Sequence, residues 1–272
     1  MSGFSLPQPP DYSGAMLLAK NVTMRFGGVT AVSDLTLALP KNAIGGVIGP
    51  NGAGKTTVFN VLSGFYTPQE GEIELNGRAV LGLPPYEICK LGMARTFQNI
   101  RLSPQMTVLE NILVGCHLRR HCPWWMAPLG LPAFYREEAE LVAKGRELAG
   151  RVKLENQLSE TAGSLPYGAQ RRLEIARALA TEPDVLLLDE PAAGMNPQES
   201  LELMHFIGHI RDEFNLTILL IEHDMKVVMG VCEYLWVMEY GALIAQGYPE
   251  EVRNNPLVIR AYLGEDVVSQ YA

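Results

Sequence analysis

The chain has 272 residues, of which 47% are hydrophobic and 19% charged, and its formal net charge is −8. This is ordinary globular composition with enough chain for a sizeable core, and the acidic balance argues against nucleic-acid binding, which needs a basic face. No apolar run reaches the ~18 residues of a spanning helix, no charged segment leads into an apolar one as in a secretory signal, and four cysteines (Cys89, Cys116, Cys122, Cys232) are too few for a disulfide framework. A reducing cytosol is the expected home.

Residues 1–14, rich in Pro, Ser and Gly, read as a flexible leader. Residues 16–45 read as strands, with Val32–Leu39 loosely alternating and a turn at Phe26-Gly27-Gly28. Ala43–Ile48 is a short apolar run of the kind that forms a buried parallel strand. It leads into Gly49-Pro50-Asn51-Gly52-Ala53-Gly54-Lys55-Thr56-Thr57, which fits the phosphate-loop pattern G-x-x-x-x-G-K-[ST]. Each residue type there has a physical task. Glycines let successive N–H groups converge on phosphate oxygens. Lys55 brings a point charge to the β- and γ-phosphates, and Thr56 offers a hydroxyl to Mg²⁺. Thr57 lies in the first turn of a helix whose dipole favours an anion. That helix is expected over Thr56–Leu62, with Gly64 as its stop. Glu72–Leu75 alternates and Asn76-Gly77 supplies a hairpin turn, which predicts an antiparallel subdomain beside the phosphate site.

From about Thr107 to Thr181 the pattern is helical, with Val108, Ile112 and Leu113 at helical spacing and Leu141, Leu148 and Val152 repeating within a charged segment. Between these lies Cys122–Tyr135, uncharged and holding Trp124, Trp125 and prolines. It is too broken for a strand or spanning helix and reads as a packed flap or a partner-facing patch. His117 and His121 are expected on one helix face beside Cys116 and Cys122, but no further Cys/His pair follows at zinc-site spacing, so metal binding is not expected there. Leu165-Pro166-Tyr167-Gly168-Ala169-Gln170 is a Gly-containing turn opening a helix, whose N–H groups can meet an anion.

Strands then return. Asp184–Leu188 is an apolar run ending in Asp189-Glu190, adjacent carboxylates at a strand end, where an α/β sheet places its ligand. Asp189 can hold Mg²⁺ through water, and Glu190 can polarise a water toward a γ-phosphate. Asn196-Pro197 caps a helix running to about Phe214. Leu216–Ile221 is a second buried strand, and His223 follows it within reach of a γ-phosphate. A hairpin is expected around Glu239-Tyr240-Gly241, then a helical tail over 249–263. The alternation of strands and helices predicts an α/β fold with a mainly parallel sheet and an inserted helical segment.

The phosphate loop, Gln98, the segment at 165–170, the Asp189-Glu190 strand and His223 come in the order found in ATP-binding-cassette ATPases, and the likeness covers about residues 16–264. The wording of Ala94-Arg95-Thr96-Phe97-Gln98, of Glu190-Pro191-Ala192-Ala193-Gly194 and of Ile221-Glu222-His223-Asp224-Met225 resembles one branch, the ATP-binding subunits of bacterial branched-chain amino acid importers. The resemblance implies a P-loop NTPase (RecA-like) core at about 15–99 and 181–248, a helical subdomain at about 100–180, and a tail over 249–272. It implies that Phe26 and Ala31 lie against adenine, that Gln98 binds Mg²⁺ or the attacking water, that Glu190 is the general base, and that His223 contacts the γ-phosphate. Leu165, Pro166, Tyr167 and Gly168 would reach ATP held by a second cassette, a heterodimer being favoured. Two permeases and, indirectly, a periplasmic binding protein would complete the assembly on the inner face of the cell membrane, with no nucleic acid involved. Two positions depart from the family pattern: Pro166 stands where the signature L-S-G-G-Q has Ser, and Asn196 where Asp is common. The same motor serving lipopolysaccharide export or urea uptake, or a soluble cassette protein, are the competing readings.

Overall fold

The structure, a computed structural model, describes residues 14–129 and 131–263. Most of the expected leader and the end of the tail therefore lie outside the described residues. The chain forms two compact units: one runs up to Arg95 and resumes at Asp184, and the other is Thr96–Pro183.

In chain order the first unit opens with β1 (Ala15–Phe26), β2 (Val29–Pro40), β3 (Ile44–Ile48), α1 (Lys55–Leu62), β4 (Glu70–Leu75), β5 (Arg78–Ala79), α2 (Pro85–Lys90) and β6 (Met93–Arg95). The second unit contributes α3 (Val108–Cys116), α4 (Pro132–Arg151) and α5 (Tyr167–Leu179). The first then resumes with β7 (Val185–Asp189), α6 (Pro197–Phe214), β8 (Thr217–Glu222), α7 (Met225–Met229), β9 (Tyr234–Glu239), β10 (Ala242–Gly247), α8 (Pro249–Arg253) and α9 (Pro256–Leu263). Among the described residues no helix is long and apolar enough to cross a membrane.

The strands of the first unit form one sheet in the order β5-β4-β1-β2-β10-β9-β3-β8-β7-β6. Its half around β3 is parallel: β8 pairs with both β3 and β7, and β9 and β6 flank them in the same sense. Every residue of β3, β7 and β8 is buried, which is why these segments read as unbroken apolar runs. The other half is antiparallel, and it continues the same sheet through the parallel pairing of Ala242 with Ser33. The sheet is therefore mixed.

Register decides where function can sit. Ile48 pairs with Glu222 and Asp189 with Ile221, so β3, β7 and β8 end level with one another. The residues that follow each strand meet at one edge of the sheet, the position that α/β folds use for ligands.

In the second unit α3 is opened by a reciprocal cap between Thr107 and Glu110. Gly115 of α3 lies against α5 so closely that a Cβ there would stand 2.2 Å from the Arg177 carbonyl oxygen. One expectation is corrected here. Helix α3 ends at Cys116, a short 3₁₀ turn takes His117–Arg119, and Arg120 is extended, so His117 and His121 share no helix face. Cys122–Tyr135 is also more regular than its composition implies: Trp124–Met126 is a 3₁₀ turn, and α4 starts at Pro132, which suits a first helical turn because it needs no N–H partner there. The stretch is tied to α4 by Arg120, which lies 4.3 Å over the Phe134 ring and pairs with Glu137 and Glu138. Glu137 also accepts from the His121 and Cys122 amides. The Trp125 ring is half exposed.

Candidate active site

The phosphate loop is shaped by glycines at positions where a side chain would bring collision or backbone strain. Gly49 (φ +151°) would place a Cβ 2.1 Å from the Met238 carbonyl oxygen, and Gly54 (φ +100°) one 2.3 Å from that of Ala31. Ala31, expected against adenine, thus supplies a wall of the loop through its backbone. Gly52 is left-handed at φ +82° in open space, so it is required for conformation alone. The loop closes on itself through Ala53 N–H donating to the Pro50 carbonyl at 3.2 Å, and Gly241 N–H caps the Ala53 carbonyl at 3.0 Å.

Lys55 opens α1 and is buried; its ammonium donates to the carbonyls of Gly49 at 2.7 Å and Pro50 at 2.9 Å. Burial lowers its pKa, while Glu190, Asp189 and Glu222 oppose that shift by their charge. Thr56 is exposed and Thr57 half-buried at the start of the helix. Phe26 is half exposed and meets Tyr66 edge to face at 5.1 Å.

The carboxylates come from β7 and β8. Asp189 is buried and paired with Arg95 at 2.8 Å. Arg95 also donates to Asn60 Oδ1 at 2.8 Å and to Ser63 Oγ at 2.9 Å, and lies over the rings of Phe59 and Phe65. Glu190 has a left-handed backbone (φ +42°), and its N–H donates to the Ile221 carbonyl at 3.0 Å. A non-glycine residue there is strained, and such strain tends to gather at functional positions. His223 is half exposed, its Nδ1 3.8 Å from Glu190 and 3.9 Å from Glu222. Glu222 is buried, accepts from the Ala192 N–H at 2.9 Å, and has its pKa raised by burial. The Tyr262 hydroxyl of α9 is buried beside Gly49 and Asp224, and burial pushes it up to about 12.

The first unit thus brings together Ala31, Gly49–Thr57, Asp189, Glu190 and His223, and it also contains Phe26. Gln98 and Leu165–Gly168 belong to the second unit. There the buried Arg171 joins them: its guanidinium donates to the Phe97 carbonyl at 2.9 Å, the Gln98 carbonyl at 3.0 Å and Glu174 at 2.8 Å. The Gln98 side chain is exposed. Pro166 is the N-cap residue of α5 and makes no side-chain cap, though its carbonyl accepts from Ala169 and Gln170. Asn196 is occupied as a cap, accepting from Glu199 N–H at 3.0 Å while Glu199 answers its own N–H. Arg95, Arg171, Glu222 and Tyr262 carry no role in the sequence reading. The available signal was a charged residue set in apolar surroundings, as in Met93-Ala94-Arg95, which demands a buried partner.

This donor set fits a nucleoside triphosphate with its metal. A glycine-rich loop with a buried lysine suits phosphates, and the Thr56 hydroxyl with the Asp189 carboxylate is an oxygen set suited to Mg²⁺.

The comparisons agree with a nucleotide site. Residues 32–193 match the family model described as ABC transporter, and residues 242–268 match that of the branched-chain amino acid ATP-binding cassette transporter. The high-affinity branched-chain amino acid transport ATP-binding protein LivG of Salmonella typhimurium is 49% identical over 93% of this chain and 99% of its own length. BraF of Pseudomonas aeruginosa, with the same description, is 47% identical over the same shares. A crystal structure of the ADP conformation of an ATP-binding cassette of an ABC transporter superposes with a TM-score of 0.81 at 31% identity, covering 92% of this chain and 99% of that one. The chain belongs to the ATP-binding-cassette transporter family and, within it, to the ATP-binding subunits of branched-chain amino acid transporters.

Proposed function

We propose that this chain is the ATP-hydrolysing subunit of an importer for branched-chain or other hydrophobic amino acids. The observation that carries the motor part is the level ending of β3, β7 and β8, which sets Lys55, Asp189, Glu190 and His223 around one phosphate loop. The amino acid cargo rests on the likeness to LivG and BraF.

Within the site, the loop amides and Lys55 bind the β- and γ-phosphates, and Phe26 and Ala31 receive the adenine. Glu190 accepts the proton of the attacking water, and His223 steadies the γ-phosphate. Thr56, Asp189 and Gln98 would hold Mg²⁺, which would neutralise phosphate charge. Leu165–Gly168, with the N-terminus of α5, faces ATP held by a second cassette, so two chains complete two sites. The assembly includes two permeases and receives substrate from a periplasmic binding protein, at the inner face of the membrane.

The test is reconstitution. The chain, a second cassette and the permeases are placed in liposomes with the binding protein, and ATP-dependent leucine uptake is measured. Uptake with this chain that is lost with Lys55→Ala supports the reading. ATP turnover without uptake of any branched-chain amino acid would overturn the cargo, and no turnover in the assembled complex would overturn the motor.

A further inference from the structure

We propose that Arg95 is a positioning residue that acts through Asp189 as its resident counter-ion, so that the site takes up a divalent cation with nucleotide and not ahead of it. The inference rests on the reading of this site as one for ATP and Mg²⁺.

The argument starts from burial. Asp189 and Arg95 side chains are 4% and 7% exposed, with Oδ2 and Nη2 2.8 Å apart. A carboxylate so far from water is costly unless paired, and removing one partner of such a pair leaves an uncompensated charge. An arginine cannot lose its proton to relieve the pairing. A bare cation approaching Asp189 therefore meets an oxygen already engaged and a fixed positive charge beside it. Lys55 adds a second positive charge that interacts with Asp189, Glu190 and Glu222. A triphosphate changes that balance, because it brings several negative charges along with the metal.

The rest of the guanidinium fixes where Asp189 stands. Nη1 donates to Asn60 and Ser63, both on or next to α1, the helix that carries Thr56. The plane is held over Phe59 at 5.5 Å and Phe65 at 5.8 Å. One planar group thus sets the distance between the carboxylate of β7 and the hydroxyl helix, which a lysine could reach but not span with a fixed fork.

The experiment titrates Mn²⁺ into the nucleotide-free protein and follows bound metal by electron paramagnetic resonance. Wild type should bind free Mn²⁺ weakly. Arg95→Met should bind it about tenfold tighter or more, because Asp189 loses its counter-ion. Arg95→Lys should return affinity toward wild type, and adding Asp189→Asn to Arg95→Met should abolish the gain. Should Arg95→Met fail to fold, Arg95→Gln removes the charge while retaining an amide for Asn60 and Ser63, and the same tightening is expected. Equal Mn²⁺ affinity in wild type and the neutral variants, or a gain that survives Asp189→Asn, overturns the proposal. Separately, wild type is titrated with ATP and Mn²⁺ together: failure there overturns the nucleotide reading, whereas success with unchanged free-metal binding overturns only the role of Arg95.

Discussion

The Nδ1 of His223 stands 3.8 Å from a carboxylate oxygen of Glu190, a pair delivered by the ends of two neighbouring parallel strands. The separation is too long for a direct hydrogen bond. Glu190 reaches this position only by adopting a left-handed backbone. Glu190→Gln should therefore lower kcat of the assembled transporter by about 10²–10⁴-fold, the range a general base supplies, while ATP affinity holds. Single-turnover ATPase assays alongside nucleotide titration separate the two. Retention of more than a tenth of wild-type turnover would show that another group takes the proton.

Glu222 gives a prediction in pH. Burial raises its pKa above the ordinary carboxylate value. The folded state therefore holds this proton more tightly than the unfolded state does. Stability is highest below the unfolded value, falls as pH rises from there through the raised folded value, and stays lower above it. Glu222→Gln cannot ionise, and its amide oxygen can still accept from the Ala192 N–H. The variant should match wild type near pH 4 and become the more stable protein toward pH 8, with about 2–4 °C in Tm for each kcal/mol recovered. Calorimetric scans across that window test it, and a variant less stable than wild type at every pH would assign Glu222 a structural role as an anion.

These residues also show what was legible in the sequence. The phosphate loop, the two strand-end carboxylates and the Asn196-Pro197 start of α6 were legible because their chemistry is written in adjacent residues. Arg95 was not, since its partner Asp189 lies 94 positions away and only the pairing of β6 with β7 brings them together. The same holds for Arg171, which reaches the Gln98 carbonyl across 73 positions. The parallel core and the antiparallel part were both legible, but their joining into one sheet was not: each strand's pattern reports its own burial, whereas the join rests on one pairing, Ala242 with Ser33. The early start of α4 is masked by its prolines, which break a helix interior, although at a first turn Pro132 favours the helix.

Two glycines separate folding from assembly. Gly54→Ala forces a left-handed alanine whose Cβ would stand 2.3 Å from the Ala31 carbonyl oxygen. Loss of ATP binding is expected, together with a loss of stability of about 1–3 kcal/mol. Gly168→Ala is the opposite case: on α5 its Cβ meets nothing within 4 Å. Alanine is the better helix former by about 0.5–1 kcal/mol, so the isolated chain should be no less stable. Turnover of the assembled transporter should still fall, because the added methyl intrudes where the partner's ATP is received. Denaturant unfolding of the single chain and ATPase assays of the complex give the two readouts. Unchanged turnover with Gly168→Ala would remove this segment from the shared site.

Pro166 gives the sharpest test of the shared site. It occupies the N-cap of α5 with an extended backbone (φ −56°, ψ 150°) and no side-chain cap, while its carbonyl already accepts the first helical bonds. A serine fits those angles without moving the chain. Its Oγ can accept a free N–H of the first turn, a cap worth about 0.5–2 kcal/mol, and its hydroxyl proton is then left to donate to a γ-phosphate. A hydrogen bond to a charged group contributes about 1.5–3 kcal/mol, so Pro166→Ser should raise turnover of the assembled transporter by about tenfold to a hundredfold. The gain should vanish when the facing site on the second cassette is disabled, because the hydroxyl serves ATP held there. Higher turnover that persists with that site disabled, or no change at all, would mean that Pro166 sets only the start of the helix.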